Sequence, residues 1–295
     1  MKDKTVFALG FFDGVHIGHQ ALLKACKELS DKLGCQAGVI TFASHPDKLV
    51  LGQAPKLLNT LQDRARLLQS YGDFRVEVLP FDEKMQKMPW QDFFCLLTTE
   101  YGAAGLVCGE DFRFGNRGEG NAELLKDACE KAGIGCEIVR EQTVEGIRVS
   151  STYIRGLLEQ GEMEQANRFF GHPHILTGKV VAGRKLGRTI GIPTANLELP
   201  EGLVVLKKGV YACKVCVEGN TYQAVTNVGN RPTVDGHHIT VEPWILDFDG
   251  DLYGKEITVE FHAFLRPEEK FENLTALQAQ IRRDGKKTRI FFDKK

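Results

Sequence analysis

Net charge is almost missing from this chain: 38 Lys+Arg stand against 39 Asp+Glu in 295 residues, a formal net of −1. That balance removes bulk electrostatic attraction as a basis for nucleic-acid binding. No apolar run approaches the ~18–20 residues needed to cross a bilayer. The opening Met1-Lys2-Asp3-Lys4 leads into a short strand-like run and then Asp13, which is not the pattern of a signal peptide. The expectation is a cytoplasmic protein with no nucleic-acid or membrane partner. Zinc spacing is also lacking. Cys213-x-x-Cys216 has no second Cys or His pair to complete a site, and strand alternation puts its two thiols on opposite faces. The eight cysteines are therefore expected to be buried free thiols in a reducing compartment.

What is present is an ordinary globular composition, 42% hydrophobic and 26% charged, in a length that suits about two domains. Two patterns divide it. From the N-terminus, strands are expected at 5–10, 37–42, 76–81, 106–109 and 135–139. They alternate with helices at 21–33, 63–71, 90–101 and 121–132. Such alternation specifies right-handed crossovers and a parallel sheet, with ligands beyond the carboxyl ends of its strands. A helical stretch over 152–170 follows. Then the period changes, to β-rich runs at 175–182, 210–217, 221–228, 239–248 and 252–264, with a helix at 274–283. The expected fold is a Rossmann-like α/β domain over 1–170, then a mostly antiparallel β-barrel with a terminal helix over 171–295. The two parts carry net charges of −4 and +3.

Chemistry-bearing residues form two constellations. In the first, Gly10-Phe11-Phe12-Asp13-Gly14-Val15-His16-Ile17-Gly18-His19 leaves the first strand and opens the first helix. Gly10, Gly14 and Gly18 permit close backbone approach, and the helix N-terminus offers N–H groups to an anion. His16 and His19 at that terminus can donate to phosphoryl oxygens as charge develops. The pattern is neither a Walker loop nor the dinucleotide fingerprint. Taken alone, it also reads as a glycine-rich turn with incidental histidines. Arg148, then Ser151, Thr152 and Arg155 at the start of another helix, adds hydroxyls and guanidinium groups that suit a triphosphate.

The second constellation begins at Gly178, continues through Gly183, Lys185 and Gly187, and closes on Pro193-Thr194-Ala195-Asn196. Thr194 and Asn196 can present oxygens to a hard cation such as Mg²⁺. Glu242 lies in a run otherwise suited to a barrel strand. Pattern alone leaves it either a solvated outward carboxylate or a general base. Asp247-x-Asp249-x-Asp251 starts like a calcium loop but lacks its later glycine and glutamate, so a hairpin turned at Asp249-Gly250 is expected instead. Asn273-Leu274-Thr275 carries no meaning as a glycosylation acceptor in a cytosolic protein.

The string Gly-Phe-Phe-Asp-Gly-Val-His-x-Gly-His, with the later Ser-Ser-Thr-x-Ile-Arg, resembles the FMN adenylyltransferase module of bacterial bifunctional riboflavin kinase/FAD synthetases. Thr41-Phe42…His45-Pro46 and Gly109-Glu110-Asp111-Phe112 agree with it. Gly-Arg-x-x-Gly-x-Pro-Thr-Ala-Asn, Thr226-Asn227-Val228-Gly229 and Leu265-Arg266-Pro267-Glu268-Glu269-Lys270-Phe271 are similar to the riboflavin kinase signature. Ser44 and Leu206 stand where the family commonly has Pro.

The resemblance implies an enzyme that makes FMN from riboflavin and ATP, then FAD and pyrophosphate from FMN and ATP. His16 and His19 would stabilise the α-phosphate. Gly10, Phe11, Phe12, Asp13, Gly14, Gly18, Arg148, Ser151, Thr152 and Arg155 would hold that ATP, with His45, Asp111 and Phe112 near the flavin. In the kinase, Glu242 would be the base, and Gly178, Gly183, Lys185, Gly187, Thr194 and Asn196 would bind Mg²⁺-ATP. Arg266, Glu269 and Phe271 would meet the flavin. The chain would act as a monomer or weak homo-oligomer. The alternatives are a nucleotidyltransferase for another acceptor such as phosphopantetheine, or a catalytically silent flavin-binding protein.

Overall fold

The computed structural model describes residues 4–182, 191–233 and 236–294. In chain order the first elements are β1 (Thr5–Leu9), α1 (Ile17–Leu33), β2 (Gln36–Phe42), α2 (Asp47–Val50), α3 (Leu61–Ser70), β3 (Arg75–Leu79), α4 (Glu83–Gln86) and α5 (Trp90–Thr99). They continue with β4 (Ala103–Gly109), β5 (Arg113–Phe114), β6 (Gly120–Asn121), α6 (Ala122–Ala132), β7 (Gly135–Val139), β8 (Thr143–Val144) and β9 (Ile147–Arg148). β1, β2, β3, β4 and β7 make one parallel sheet in the order β3-β2-β1-β4-β7. β1 is buried at every residue, as a central strand covered on both faces must be. The strand order reverses between β1 and β4, so a crevice opens at their carboxyl ends. Local chemistry sets the helices. α1 stops at Gly34 in the left-handed conformation (φ 63°), and α6 starts where Asn121 Oδ1 accepts the Leu124 N–H at 2.9 Å.

The later elements are α7 (Ser151–Gln160), α8 (Met163–Phe170), β10 (His174–Lys179), β11 (Leu197–Glu198), β12 (Gly209–Val217), β13 (Asn220–Thr233), β14 (Gly236–Ile245), β15 (Glu256–Arg266) and α9 (Leu274–Asp293). Six strands pair antiparallel in the order β10-β15-β12-β13-β14-β11. The Val181 N–H donates to the Asn196 carbonyl at 2.9 Å, so the two ends of the sheet approach closure as a barrel. The β12–β13 hairpin turns at Glu218 (φ 48°) and Gly219 (φ 84°), the paired positive φ of a type I′ turn.

Contacts divide the chain into Met1–Leu57 with Arg64–Ser151, and Leu58–Asp63 with Thr152–Lys295. The sequence pattern changes at 170/171; by contacts, α7 from Thr152 onward and α8 group with the barrel strands. Asn167 Nδ2 donates to the Phe261 carbonyl at 2.8 Å, and Lys207 Nζ to the Gln160 carbonyl at 3.1 Å. In the short segment 58–63, Asn59 Nδ2 donates to the Ile175 carbonyl at 3.2 Å, and Asp63 accepts the Thr177 N–H at 3.1 Å.

Three expectations need correction. β14 and β15 are not neighbours in the sheet, so the stretch around Asp249-Gly250 is a crossover and not a hairpin. β15 begins at Glu256 rather than 252, because Tyr253 N bonds Asp251 Oδ1 (3.1 Å) and Gly254 turns at φ 74°. The terminal helix passes through Gly285 to Asp293, since a Cβ there would lie 2.9 Å from Trp244 Cζ3; the glycine marks close packing, not an end. Asn273 caps this helix, its Oδ1 accepting the Ala276 N–H at 2.9 Å.

Candidate active sites

In the α/β unit, the turn after β1 takes unusual backbone angles. Phe12 (φ 59°), Gly14 (φ 79°) and Val15 (φ 41°) all have positive φ, which costs about 1–3 kcal/mol at a non-glycine position. Main-chain clamps hold it. Thr41 Oγ1 donates to the Phe11 carbonyl at 2.9 Å, Ser151 Oγ to that of Asp13 at 3.1 Å, and Gln20 Nε2 to that of Val15 at 2.9 Å. The Phe12 ring is fully buried, an anchor for the turn.

The turn delivers His16 to the N-cap of α1, where its Nδ1 accepts the His19 N–H at 3.4 Å. The two imidazoles stack with centroids 3.7 Å apart and planes 13° from parallel. Burial, then the charges of His16 and Arg64, hold His19 well below the usual histidine range, so it is neutral at pH 7. Its Nδ1 is buried without a partner. A Cβ on Gly18 would stand 3.2 Å from His16 Cε1, so that glycine keeps the ring's place.

Sequence reasoning missed Arg64. It is buried, donates from Nη1 to the Phe11 carbonyl at 2.8 Å and from Nη2 to the Phe42 carbonyl at 2.7 Å, and lies 4.3 Å from the Phe11 ring centre. Burial pulls its pKa down to about 10, opposed by the charge of Asp13. The readable signal was an arginine three and four residues before Leu67 and Leu68, on the apolar stripe of its helix.

A cavity of about 990 Å³ lies beyond Phe42, walled by Phe81, Met85, Met88, Phe112 and Phe114 and edged by Lys87, Arg113 and Arg117. Phe112 thus lines an apolar groove with a basic rim. His45 lies edge-on to Phe11 at 4.6 Å, and its Nδ1 accepts the Asp47 N–H at 3.2 Å. Asp111 receives Arg148 Nη2 at 2.6 Å, and Arg148 also pairs with Glu141. The expected nucleotide cation is therefore held by carboxylates here. Arg155 Nη1 lies 3.5 Å from Thr152 Oγ1, one turn along α7 in the other contact unit.

In the barrel, Glu242 pairs across the sheet with Asn227 and accepts from Thr240 Oγ1 at 3.2 Å. Glu242 lines a cavity of about 370 Å³. Val210, Val225, Trp244 and Phe271 supply the apolar wall, with Arg266 and Glu269 among the polar groups. A second cavity of about 300 Å³, bounded by Pro193, Ala195, Phe248 and Tyr253, shares Thr194 with the first. Asn196 Nδ2 lies 3.5 Å from the Thr194 carbonyl, and Gly178 sits on β10 facing Leu197. Gly183, Lys185 and Gly187 lie outside the described residues.

Asp284 was also missed. Fully buried on α9, it accepts Arg266 Nε at 2.9 Å, Arg266 Nη2 at 2.8 Å and Gln280 Nε2 at 3.0 Å. Arg266 in turn sits 5.7 Å from the Phe271 ring centre. Among the described residues no group of three or more His, Cys, Asp or Glu is placed to hold a metal ion. A cation at Thr194 and Asn196 would thus need phosphate and water to complete its shell, as Mg²⁺ bound to a nucleotide does.

Comparison with known proteins matches both units. A family model for FAD synthetase covers residues 1–153, and one for riboflavin kinase covers 170–292. The bifunctional riboflavin kinase/FMN adenylyltransferase of Listeria monocytogenes is 37% identical over 293 residues, 98% of this chain and 93% of that protein. Its counterpart in Escherichia coli K12 is 38% identical over 298 residues, 99% and 94% of the two chains. A crystal structure described as a macrolide-efflux protein from Streptococcus pneumoniae superposes with a TM-score of 0.88 at 31% identity, over 98% of this chain and 95% of that one. No helix among the described residues is long and apolar enough to cross a membrane.

Proposed function

The chain belongs to the bifunctional riboflavin kinase/FMN adenylyltransferase family, and from that membership we propose that it carries out both steps of FAD synthesis, each in its own part of the chain. The observation that carries the reading is that two separate constellations coexist in one chain. Stacked His16 and His19 sit at the mouth of a parallel sheet, and Glu242 lines an apolar barrel cavity. The kinase activity is assigned to 171–295 and the adenylyltransferase to 1–170.

In the barrel, riboflavin occupies the cavity walled by Val225, Trp244 and Phe271, and Mg²⁺-ATP the neighbouring one, with Thr194 between them. Thr194 and Asn196 would hold the cation, whose charge would offset that of the phosphates. The Glu242 carboxylate takes the proton of the ribityl 5′-hydroxyl as that oxygen bonds the γ-phosphorus and ADP leaves. In the α/β unit, a phosphate oxygen of FMN bonds the α-phosphorus of ATP and pyrophosphate departs. His19, neutral through burial, binds phosphoryl oxygens as a hydrogen-bond donor. His16 accepts the His19 N–H at Nδ1, which leaves its Nε2 to donate to the same oxygens. Ser151, Thr152 and Arg155 are assigned to the departing phosphates, and the groove lined by Phe112 to the flavin. The protein works in the cytoplasm as a monomer or weak homo-oligomer on small-molecule substrates.

Chromatography of products from riboflavin with Mg²⁺-ATP tests the assignment. FMN appearing first, then FAD with pyrophosphate, supports it. Absence of both flavin nucleotides sinks it, and FMN without FAD removes the adenylyltransferase half.

A further inference from the structure

Adenylyl transfer needs two phosphates brought to bonding distance, and the groups around them come from different loops. His16 and His19 follow β1, whereas Phe42, a wall of the 990 Å³ cavity, ends β2. These two strand ends are neighbours in the sheet, with Leu9 opposite Ile40. Thr41 Oγ1 on the Phe11 carbonyl and the His45–Phe11 ring contact link the segments beyond them, and Arg64 spans both at once. Its Nη1 bonds the Phe11 carbonyl and its Nη2 the Phe42 carbonyl, at 2.8 and 2.7 Å, while its plane lies over the Phe11 ring.

We propose that Arg64 is a positioning residue for adenylyl transfer, fixing the histidine turn against the flavin groove so that acceptor phosphate and α-phosphorus meet in line. The inference rests on the adenylyltransferase reading and adds a residue to it. A guanidinium suits the task because its planar fork donates to two carbonyls in fixed geometry, which an ammonium cannot copy. Packing alone does not account for it. The same helix fills its buried face with Leu67 and Leu68, and a third leucine at 64 would avoid desolvating a charge. Arg64 is 97% buried by exposure of 3%, and its Nε has no partner, so the site retains a buried charge only partly satisfied by the two carbonyls. Its charge also helps keep His19 neutral, after burial and His16.

The test uses the full chain as wild type, Arg64→Met and Arg64→Lys. FAD formation from FMN and Mg²⁺-ATP is measured with calorimetric binding of FMN alone, of ATP alone, and thermal unfolding. The Met variant is expected to lose roughly 10- to 100-fold in kcat, the penalty of a misplacement near 1 Å. Each separate affinity should change less than about threefold, because each loop still meets its own ligand, and Lys should recover part of the rate. An unimpaired kcat in Arg64→Met overturns the proposal. So does loss of both affinities together with a lowered Tm in both variants, which marks a structural role only. If Arg64→Met does not fold, Arg64→Lys decides, full kcat there being the overturning result. A wild type that makes FMN but no FAD overturns the adenylyltransferase reading itself, and this inference with it.

Discussion

His16 and His19 are stacked face to face, 3.7 Å between ring centres, with the first accepting a hydrogen bond from the backbone of the second. Two imidazoles this close cannot both be protonated cheaply, and burial keeps His19 neutral. In the proposed adenylyl transfer the pair would therefore act by donating hydrogen bonds, not as a double positive charge.

Replacing His19 by Ala is expected to cut FAD formation from FMN by roughly 10²–10³-fold, the loss of one transition-state donor. FMN formation from riboflavin should persist. Both rates come from one chromatographic assay, and loss of both in a folded variant would contradict two separate sites.

Glu242→Gln keeps the shape of the side chain and its bond from Thr240 while removing the base. Phosphorylation of riboflavin should stop, and supplied FMN should still be adenylylated. A variant that retains kinase activity would return Glu242 to an ordinary barrel carboxylate.

Asp284→Ala removes the acceptor of three hydrogen bonds and leaves the largely buried Arg266 guanidinium without its counter-ion, bonded only to the Pro267 carbonyl. Breaking such a pair costs about 3–5 kcal/mol. Denaturant unfolding should register that loss, and the KM for riboflavin should rise because Arg266 lines the kinase cavity. An unchanged midpoint would show that the pair adds nothing.

His174 sets an acid limit on the barrel. Burial, then the charge of His172, lowers its pKa from 6.5 to about 3. Between those values the unfolded chain binds a proton that the folded chain refuses, so stability falls as pH falls below about 6.5, by roughly 1.4 kcal/mol per unit. His174→Phe, set between Phe170 and Phe261, also removes a buried Nδ1 that has no partner. Unfolding measured from pH 7 to 4 should show a flatter acid limb in the variant; identical limbs would speak against this origin.

The alternation of strand and helix was legible because each period is local, and β7 was read to its residue limits. His16, His19 and Glu242 were legible because their residue types are unusual in their settings. What escaped notice is nonlocal. The crossover after β14 depends on which strands pair, and the place of 58–63 depends on backbone groups of Ile175 and Thr177 more than a hundred residues away. Arg64 and Asp284 each interrupt an apolar helical face; apart from Gln280 one turn before Asp284, their partners are carbonyls or an arginine on another element that no spacing rule connects.

The clamps on the histidine turn end on main-chain oxygens: those of Phe11, Asp13 and Val15, and with Arg64 that of Phe42. A carbonyl is common to every residue type, so such a scaffold is blind to the side chains it holds. If the groove takes the flavin as proposed, its wall at Phe81, Met85, Met88 or Phe112 can be rewritten to admit a different phosphorylated acceptor. The geometry of the transfer step would be inherited unchanged.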